Sequence, residues 1–276
     1  MASNLHKYSP SGAAAMIFLV GFIIGGAWHA FIIVRKRSWY FTPMLIGCIL
    51  ELVGYLARFI SSSSPTNMAF SMIQTLCLLV GPALFAASIY MVLGRLFCYL
   101  RCESLSPIRP WRLPKIFVVG DVVSFLVQIM GAGSLASSSS MNTGKTVILL
   151  VLAVQFIFFA LLVSAMTVFH KRLLRQVPPV VLGEEAHEGL KRFYSGWRGV
   201  LNVLYIASGL IFVRSLFRLA EYVQGRDGVL LNTEVYLYIF DALLMLGVVA
   251  VTAIFHPAKY VPSKKSLSSL LDVDME

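Results

Sequence analysis

Charged residues are scarce in this chain. Only 13% of its 276 residues are Asp, Glu, Lys or Arg, whereas a typical soluble domain contains about 25%. Hydrophobic residues make up 58%, and the mean hydropathy is +0.80. This composition excludes a soluble fold and indicates an integral membrane protein. The net charge of +10 therefore favours basic residues held on the cytoplasmic side of a bilayer, and nucleic acid is not expected as a partner.

Several motifs that carry chemistry are also missing. Four cysteines do not make a disulfide framework, and only His29 and His256 are near apolar segments, so three zinc ligands cannot be assembled. There is no phosphate-binding G-x-x-x-x-G-K loop and no serine elbow, and the last apolar segment has no lysine to hold retinal. We expect no enzyme activity, no metal and no cofactor.

Long apolar segments are abundant. A bilayer core about 30 Å thick needs about 20 apolar residues of helix, and seven segments are that long: residues 12–34, 41–60, 68–93, 116–135, 146–169, 200–223 and 235–255. The sequence predicts an all-α membrane protein with seven transmembrane helices in one domain, residues 12–257. The longest loop is predicted between the fifth and sixth spans.

The distribution of Lys and Arg predicts the orientation. Seventeen of these residues lie on the side that carries the RKR motif, residues 35–37, and only Lys7, Lys145 and Arg226 lie on the other side. Cytoplasmic loops carry the excess of basic residues. We therefore expect residues 1–11 outside the cell and a disordered cytosolic tail at residues 258–276. Cys98 and Cys102, near the inner end of the third span, are either palmitoylation candidates or plain thiols.

Six ionisable side chains fall deep within the predicted spans. Each costs about 2.5–3.5 kcal/mol at the centre of a bilayer unless it is paired or faces a polar interior. Three are basic and three are acidic, so the set is neutral: Glu51, Arg58, Arg214, Arg218, Glu221 and Asp241. Helical periodicity places Glu51, Tyr55 and Arg58 on one face, and Glu234, Tyr238 and Asp241 on another. The arginines are predicted to have carboxylate partners, some of them on other helices.

A second polar group is predicted nearer the cytosol. Gln74 and Arg95 belong to a stripe along the third span, Asp121 and Gln128 share a face of the fourth, and Arg95 with Asp121 is a plausible pair. Buried charges can simply hold helices in register, or they can contact a ligand. On the second interpretation, the candidate substrate-binding residues are Glu51, Tyr55, Arg58, Gln74, Asp121, Gln128, Arg214, Arg218, Glu221 and Asp241.

Two classes of function remain, a lipid transporter and a heptahelical receptor. Receptor marks are missing, because the third span ends in GRLFCYLR without an Asp/Glu-Arg-Tyr triplet and the last span has no Asn-Pro-x-x-Tyr.

Blocks along the membrane region resemble the fungal lipid-translocating exporter family, which is named for resistance to aminocholesterol. The matching stretches are ELVGYLARF (51–59), GPALFAASIYMVLGR (81–95), GDVVSFLVQIMGAG (120–133), LIFVRSLFRLAEYVQG (210–225), EVYLYIFDALLM (234–245) and the closing His256-Pro257. Gly131-Ala132-Gly133 stands where the family has three glycines.

This resemblance implies a seven-span fungal protein, usually of the plasma membrane. It implies movement of sphingoid bases, sterol-like compounds or other amphipaths across the bilayer, with roles in lipid asymmetry and drug resistance. A receptor-like regulator of lipid asymmetry is the alternative. In either case the expected partner is a membrane lipid or an amphipathic small molecule, and the oligomeric state is not indicated.

Overall fold

The computed structural model describes residues 12–63, 68–99, 113–134, 141–176, 188–224 and 233–257, and these ranges are almost entirely helical. Helices suit lipid because they satisfy every backbone hydrogen bond within one segment. The helices are α1 (Gly12–Lys36), α2 (Thr42–Ser63), α3 (Met68–Tyr99), α4 (Leu113–Ser134), α5 (Met141–Gln176), α6 (Glu188–Gln224) and α7 (Glu234–Ile254). One 3₁₀ turn, Trp39–Phe41, joins α1 to α2.

Within the described residues, six of these helices are long and apolar enough to cross a membrane: α1, α2, α3, α5, α6 and α7. The chain is therefore a multi-pass membrane protein. α4 occupies the place of the predicted fourth span, but its apolar section, Val118–Met130, is shorter than a full span. The count of seven spans and the orientation of the termini stay predictions, as do the extracellular N-terminus and the cytosolic tail, which lie outside the described residues.

The loop predicted between the fifth and sixth spans is shorter than expected. α5 continues past its apolar part to Gln176, and α6 begins at Glu188, before its own apolar part. Lys, Arg, Leu and Gln are good helix formers, so the sequence KRLLRQ extends α5 instead of ending it.

The distribution of side chains is that of a protein in lipid. Large apolar residues such as Ile24 on α1 and Leu161 on α5 are exposed, whereas the buried polar residues include Glu51, Arg58 and Asp241. A contiguous apolar exterior of this kind marks a membrane-facing surface. Charged side chains in the middle of the spans, such as Glu51, Arg58 and Asp241, therefore lie inside the helix bundle, whereas exposed charges such as Lys171 lie near helix ends.

Glycines set the close approach of helices where the bundle is tightest. α2 packs on α3, and a Cβ atom at Gly47 would lie 2.6 Å from the ring of Phe85. On α1, Gly21 and Gly25 form a G-x-x-x-G pair that faces α7, since a Cβ at Gly21 would lie 3.0 Å from the Leu246 side chain. Small residues at such positions let transmembrane helices pack backbone to backbone.

Candidate functional site

Asp241 is the centre of a buried ionic cluster between α6 and α7. Its Oδ1 accepts a hydrogen bond from Nε of Arg214 at 2.5 Å, and its Oδ2 accepts one from Nη2 of Arg218 at 2.6 Å. Nη1 of Arg218 also donates to Oε2 of Glu221 at 2.9 Å, one turn along the same helix. All four side chains are buried. The sequence predicted carboxylate partners for these arginines, and the structure confirms them both on α6 and on another helix.

Arg214 also has a backbone partner, which a proline provides. Its Nη2 donates to the carbonyl oxygen of Leu78 on α3. In a regular helix that carbonyl accepts from the N–H four residues later, but residue 82 is Pro82, which has no N–H. Pro82 in the middle of α3 therefore leaves a carbonyl that Arg214 uses.

A second ion pair links α2 to the start of α7. Nη2 of Arg58 donates to Oε1 of Glu234 at 2.8 Å, and its Nε donates to the hydroxyl of Tyr238 at 2.9 Å. The guanidinium carbon also lies 5.1 Å from the centroid of the Tyr238 ring. Sequence reasoning placed Glu234 on the face of Tyr238 and Asp241 but left it out of the candidate site.

The last helix changes its geometry where it meets these arginines. Residues Tyr238–Leu243 form a π-helical segment, with α-helix before and after it. Such wide turns are frequent at functional sites. In this helix Glu234 and Tyr238 contact α2, whereas Asp241 contacts α6. A uniform helical period did not predict the π-helical turn.

Glu51 differs from the other carboxyl groups. It is only 1% exposed, yet within the described residues neither of its oxygens accepts a hydrogen bond. Its carboxyl group lies against the backbone of α3, since a Cβ at Gly81 would be 2.5 Å from Oε1. Asp241, Arg214 and Arg218 are the charged groups that act on it, but among the described residues the hydrogen bonds of both arginines go to Asp241, Glu221 and Leu78.

Tyr55 lies one turn from Glu51 on α2. Its ring is fully buried, and it stacks on Phe22 with centroids 5.6 Å apart. In the part of the chain that the structure describes, its hydroxyl has no hydrogen-bond partner. Two buried polar groups on one face of α2 are therefore unsatisfied, and native proteins leave few such groups without a reason.

The remaining predicted site residues either form no described hydrogen bond with this cluster or lie outside the described side chains. Gln128 is buried and donates from Nε2 to Oε1 of Gln155 on α5 at 2.9 Å, and Gln74 is buried on α3. Asp121 belongs to α4, but its side chain is not described, so its predicted pair with Arg95 is untested. The Arg95 guanidinium lies 4.2 Å from the centroid of the Tyr40 ring. Cys102 and the Cys98 side chain are likewise outside the described part.

A cavity of about 50 Å³ opens between α3, α5 and α6 beside the two arginines of the cluster. Arg214 and Arg218 line it together with Gln155 and Ser215, and the other walls are largely apolar. Its volume suffices for one or two water molecules. Sequence reasoning missed Gln155, because an uncharged residue in the most lipid-exposed span gives no signal of an inward position.

The hydroxyl of Tyr238 provides a direct test of the Arg58 site. Tyr238→Phe removes one acceptor from a buried guanidinium and keeps the ring that stacks on Phe18 with centroids 5.5 Å apart. We expect a loss of about 1.5–3 kcal/mol in the free energy of unfolding, the range for hydrogen bonds to charged groups, measured by thermal unfolding in detergent. Tyr236→Phe is the matched control, because that ring is tilted against Phe240 with centroids 6.4 Å apart and makes no described hydrogen bond to Arg58. Equal stability losses in the two variants would contradict the assignment.

Comparison with known proteins gives the family. Residues 44–264 match the model of a family described as RTA1 like protein. The matched range runs from α2 to beyond α7 and contains every residue of the ionic cluster. The chain belongs to the RTA1-like family. This confirms the resemblance that the sequence blocks indicated.

RTA1-like relatives with names occur in yeast. Protein RTM1 of Saccharomyces cerevisiae is 38% identical over 213 residues, which are 77% of this chain and 66% of that protein. Protoporphyrin uptake protein 1 of the same species is 35% identical over 280 residues, 89% of each chain. Sphingoid long-chain base transporter RSB1, also of Saccharomyces cerevisiae, is 28% identical over 258 residues, 83% of this chain and 67% of that protein. No solved structure matches the chain.

Proposed function

We propose that this RTA1-like protein moves amphipathic lipids with a cationic head group, sphingoid-base-like or sterol-like, from one leaflet of the bilayer to the other. The observation that carries the proposal is a buried cluster of ionisable groups, inside a bundle of membrane-spanning helices, in which one carboxyl group has no bonded partner among the described residues. Intramembrane charges of this kind mark substrate or ion pathways. The name of the related sphingoid long-chain base transporter supports the same class of cargo.

The proposed topology completes this function. Seven spans in residues 12–257, with residues 1–11 outside and the tail 258–276 in the cytosol, place the ionic cluster at mid-membrane or in the outer half. We assign the protein to the plasma membrane, where movement of toxic amphipaths contributes to resistance and to lipid asymmetry. It acts as a carrier and not as an enzyme.

The carboxyl groups of the cluster are the proposed receptors of the cationic head group. Glu51, Glu221 and Asp241 receive the amine in exchange for their arginine neighbours, with Tyr55 beside Glu51. The apolar tail of the lipid remains among apolar side chains or in the bilayer. Arg58, Arg214 and Arg218 are suited to a phosphate or carboxylate on other cargo. Gln74, Asp121 and Gln128 are further proposed lining residues of the pathway, with Asp121 on its inner side.

Reconstituted liposomes test the proposal. The purified protein is the only protein present, the probe is a sphingoid base with a fluorescent label on its tail, and an impermeant quencher reports how much probe crosses. We expect the wild type to move the probe downhill and Glu51→Gln to lose most of this activity, because an amide cannot balance the charge of an ammonium group.

The matched control is Lys171→Gln, which also changes one unit of charge but lies at an exposed position near the end of α5. It should translocate the probe like the wild type. If the folded wild-type protein moves no probe, the carrier function is wrong and the receptor-like regulator of lipid asymmetry becomes the better interpretation.

A further inference from the structure

We propose that Glu51 is a proton-carrying group, and that the protein exchanges one proton for one cationic head group without net movement of charge. This inference rests on the proposed translocation and adds its coupling ion. It follows from the hydrogen bonds of the cluster, from the number of its charges and from the groups that surround Glu51.

Among the described residues, Glu51 is isolated from hydrogen-bond donors. An ionised carboxylate that is buried without a hydrogen bond or a bonded counter-charge is costly, and such a group takes up a proton instead. Glu221, Glu234 and Asp241 each accept a hydrogen bond from an arginine at 2.9 Å or less. Glu51 accepts none from the described residues. It is therefore the carboxyl group of the cluster that is set up to hold a proton.

The number of charges around Glu51 also supports the exchange of one proton for one cation. The described groups of both ion-pair sites are counted here together with Glu51. They comprise the guanidinium groups of Arg58, Arg214 and Arg218 and the carboxyl groups of Glu51, Glu221, Glu234 and Asp241, of which Glu234 has 17% of its side chain exposed. With a proton on Glu51 the cluster is neutral, and with an ammonium group against an ionised Glu51 it is neutral again. With neither it has one uncompensated negative charge in a medium of low dielectric constant. If the bundle switches between its inward-open and outward-open forms only in these two neutral states, movement of the ammonium head group in one direction requires movement of a proton in the other.

The neighbours of Glu51 keep their own charge states during the exchange. The groups that interact with it electrostatically are Cys48 and Tyr55 on α2, Cys77 on α3, Arg214 and Arg218 on α6, and Asp241 on α7. α1 presents Phe18 and Phe22 to Tyr55, and its histidine, His29, contacts the carbonyl of Val249. Thiols and phenols are neutral near pH 7, and Asp241 bonds to two arginines. Glu51 is thus the group whose proton can be replaced.

Binding of a permanently charged amphipath tests the exchange directly. A long-chain trimethylammonium compound cannot release a proton itself, so any proton released from weakly buffered nanodiscs comes from the protein. We expect the wild type to release about one proton for each cation bound near neutral pH, as linkage requires, and Glu51→Gln to release none. Glu51→Asp keeps the carboxyl group and should restore release. Failure of the wild type to bind the cation, or binding without proton release, would overturn the proposal.

The driving force gives a second, independent measurement in liposomes with the same permanently charged probe. One pH unit corresponds to about 1.4 kcal/mol, so a gradient of one unit should concentrate the probe about tenfold on the acidic side. A membrane potential set with potassium and valinomycin should change the distribution little, because the exchange moves no net charge. A distribution that follows the potential instead refutes the one-for-one exchange.

These results separate the two proposals. Downhill movement of the sphingoid probe without proton release leaves the carrier function standing and removes the coupling. Proton release on binding without any translocation keeps Glu51 as an exchange site and removes the carrier function.

Discussion

Replacement of Asp241 by Asn is expected to destabilise the protein by about 3–5 kcal/mol, the cost of removing one partner from a buried ion pair. Asp241 accepts from both Arg214 and Arg218, and its side chain is only 1% exposed. An amide oxygen has no charge to balance the guanidinium groups, and its NH₂ group would face one of them. The buried thiol of Cys48 makes the measurement practical, because a thiol-reactive dye reports unfolding when that thiol becomes accessible.

Two further variants make this result specific. Glu221→Gln removes a carboxylate that, among the described residues, bonds only to Arg218, which keeps its bond to Asp241, so a smaller loss is expected. Arg214→Gln in the Asp241→Asn background removes one of the unpaired charges and should be less harmful than the sum of the single changes, by roughly 0.5–3 kcal/mol. Simple additivity would contradict the cluster as a single unit.

Gly81→Ala should reduce translocation through its effect on Glu51. The new Cβ would lie 2.5 Å from Oε1 and 3.0 Å from Cγ and Cδ of Glu51, so the carboxyl group must shift from its position against α3. Overpacking of this kind costs about 1–3 kcal/mol, which is equivalent to roughly five- to 150-fold in an equilibrium constant. The liposome assay with the sphingoid probe measures this loss, and proton release by the same variant shows whether Glu51 is still an exchange site.

The matched control is Gly209→Ala on α6. A Cβ at Gly209 meets nothing within 4 Å, and alanine is the better helix former by about 1 kcal/mol. This variant should be as active as the wild type and equally or more stable. Similar activity of the Gly81 and Gly209 variants would show that the carboxyl group of Glu51 need not lie against α3.

The members of the cluster were visible in the sequence, whereas their pairing was not. Arg214, Arg218 and Asp241 stand out because charges are rare in apolar segments, and the periodicity of one helix shows which of its residues share a face. For Arg58, the periodicity of its own helix does not identify the partner. Glu51 lies on its own helical face, but the bonded carboxylate is Glu234 of α7, because the rotation and crossing of two helices decide which side chains meet.

Other features depend on contacts that no local pattern reports. Pro82 is recognisable in the sequence as a residue that disturbs α3. The carbonyl of Leu78, which Pro82 leaves without its helical donor, matters because Arg214 reaches it from another helix. Gln155 is an uncharged residue in an apolar span, so its place beside the cavity follows from packing alone. The π-helical turn at Asp241 likewise follows from the contacts of α7 with two neighbouring helices.

The sequence by itself determined that the chain is helical and lies in a membrane, that it is a member of the RTA1-like family, and which ionisable residues are buried. Family membership follows from blocks of matching residues, and the other properties follow from local composition and helical period, so none of them needs knowledge of neighbouring helices. Only the tertiary structure decided that, among the described residues, three carboxylates bond to arginines while Glu51 bonds to none. That distinction depends on distances between atoms of four helices, and chain order does not specify those distances.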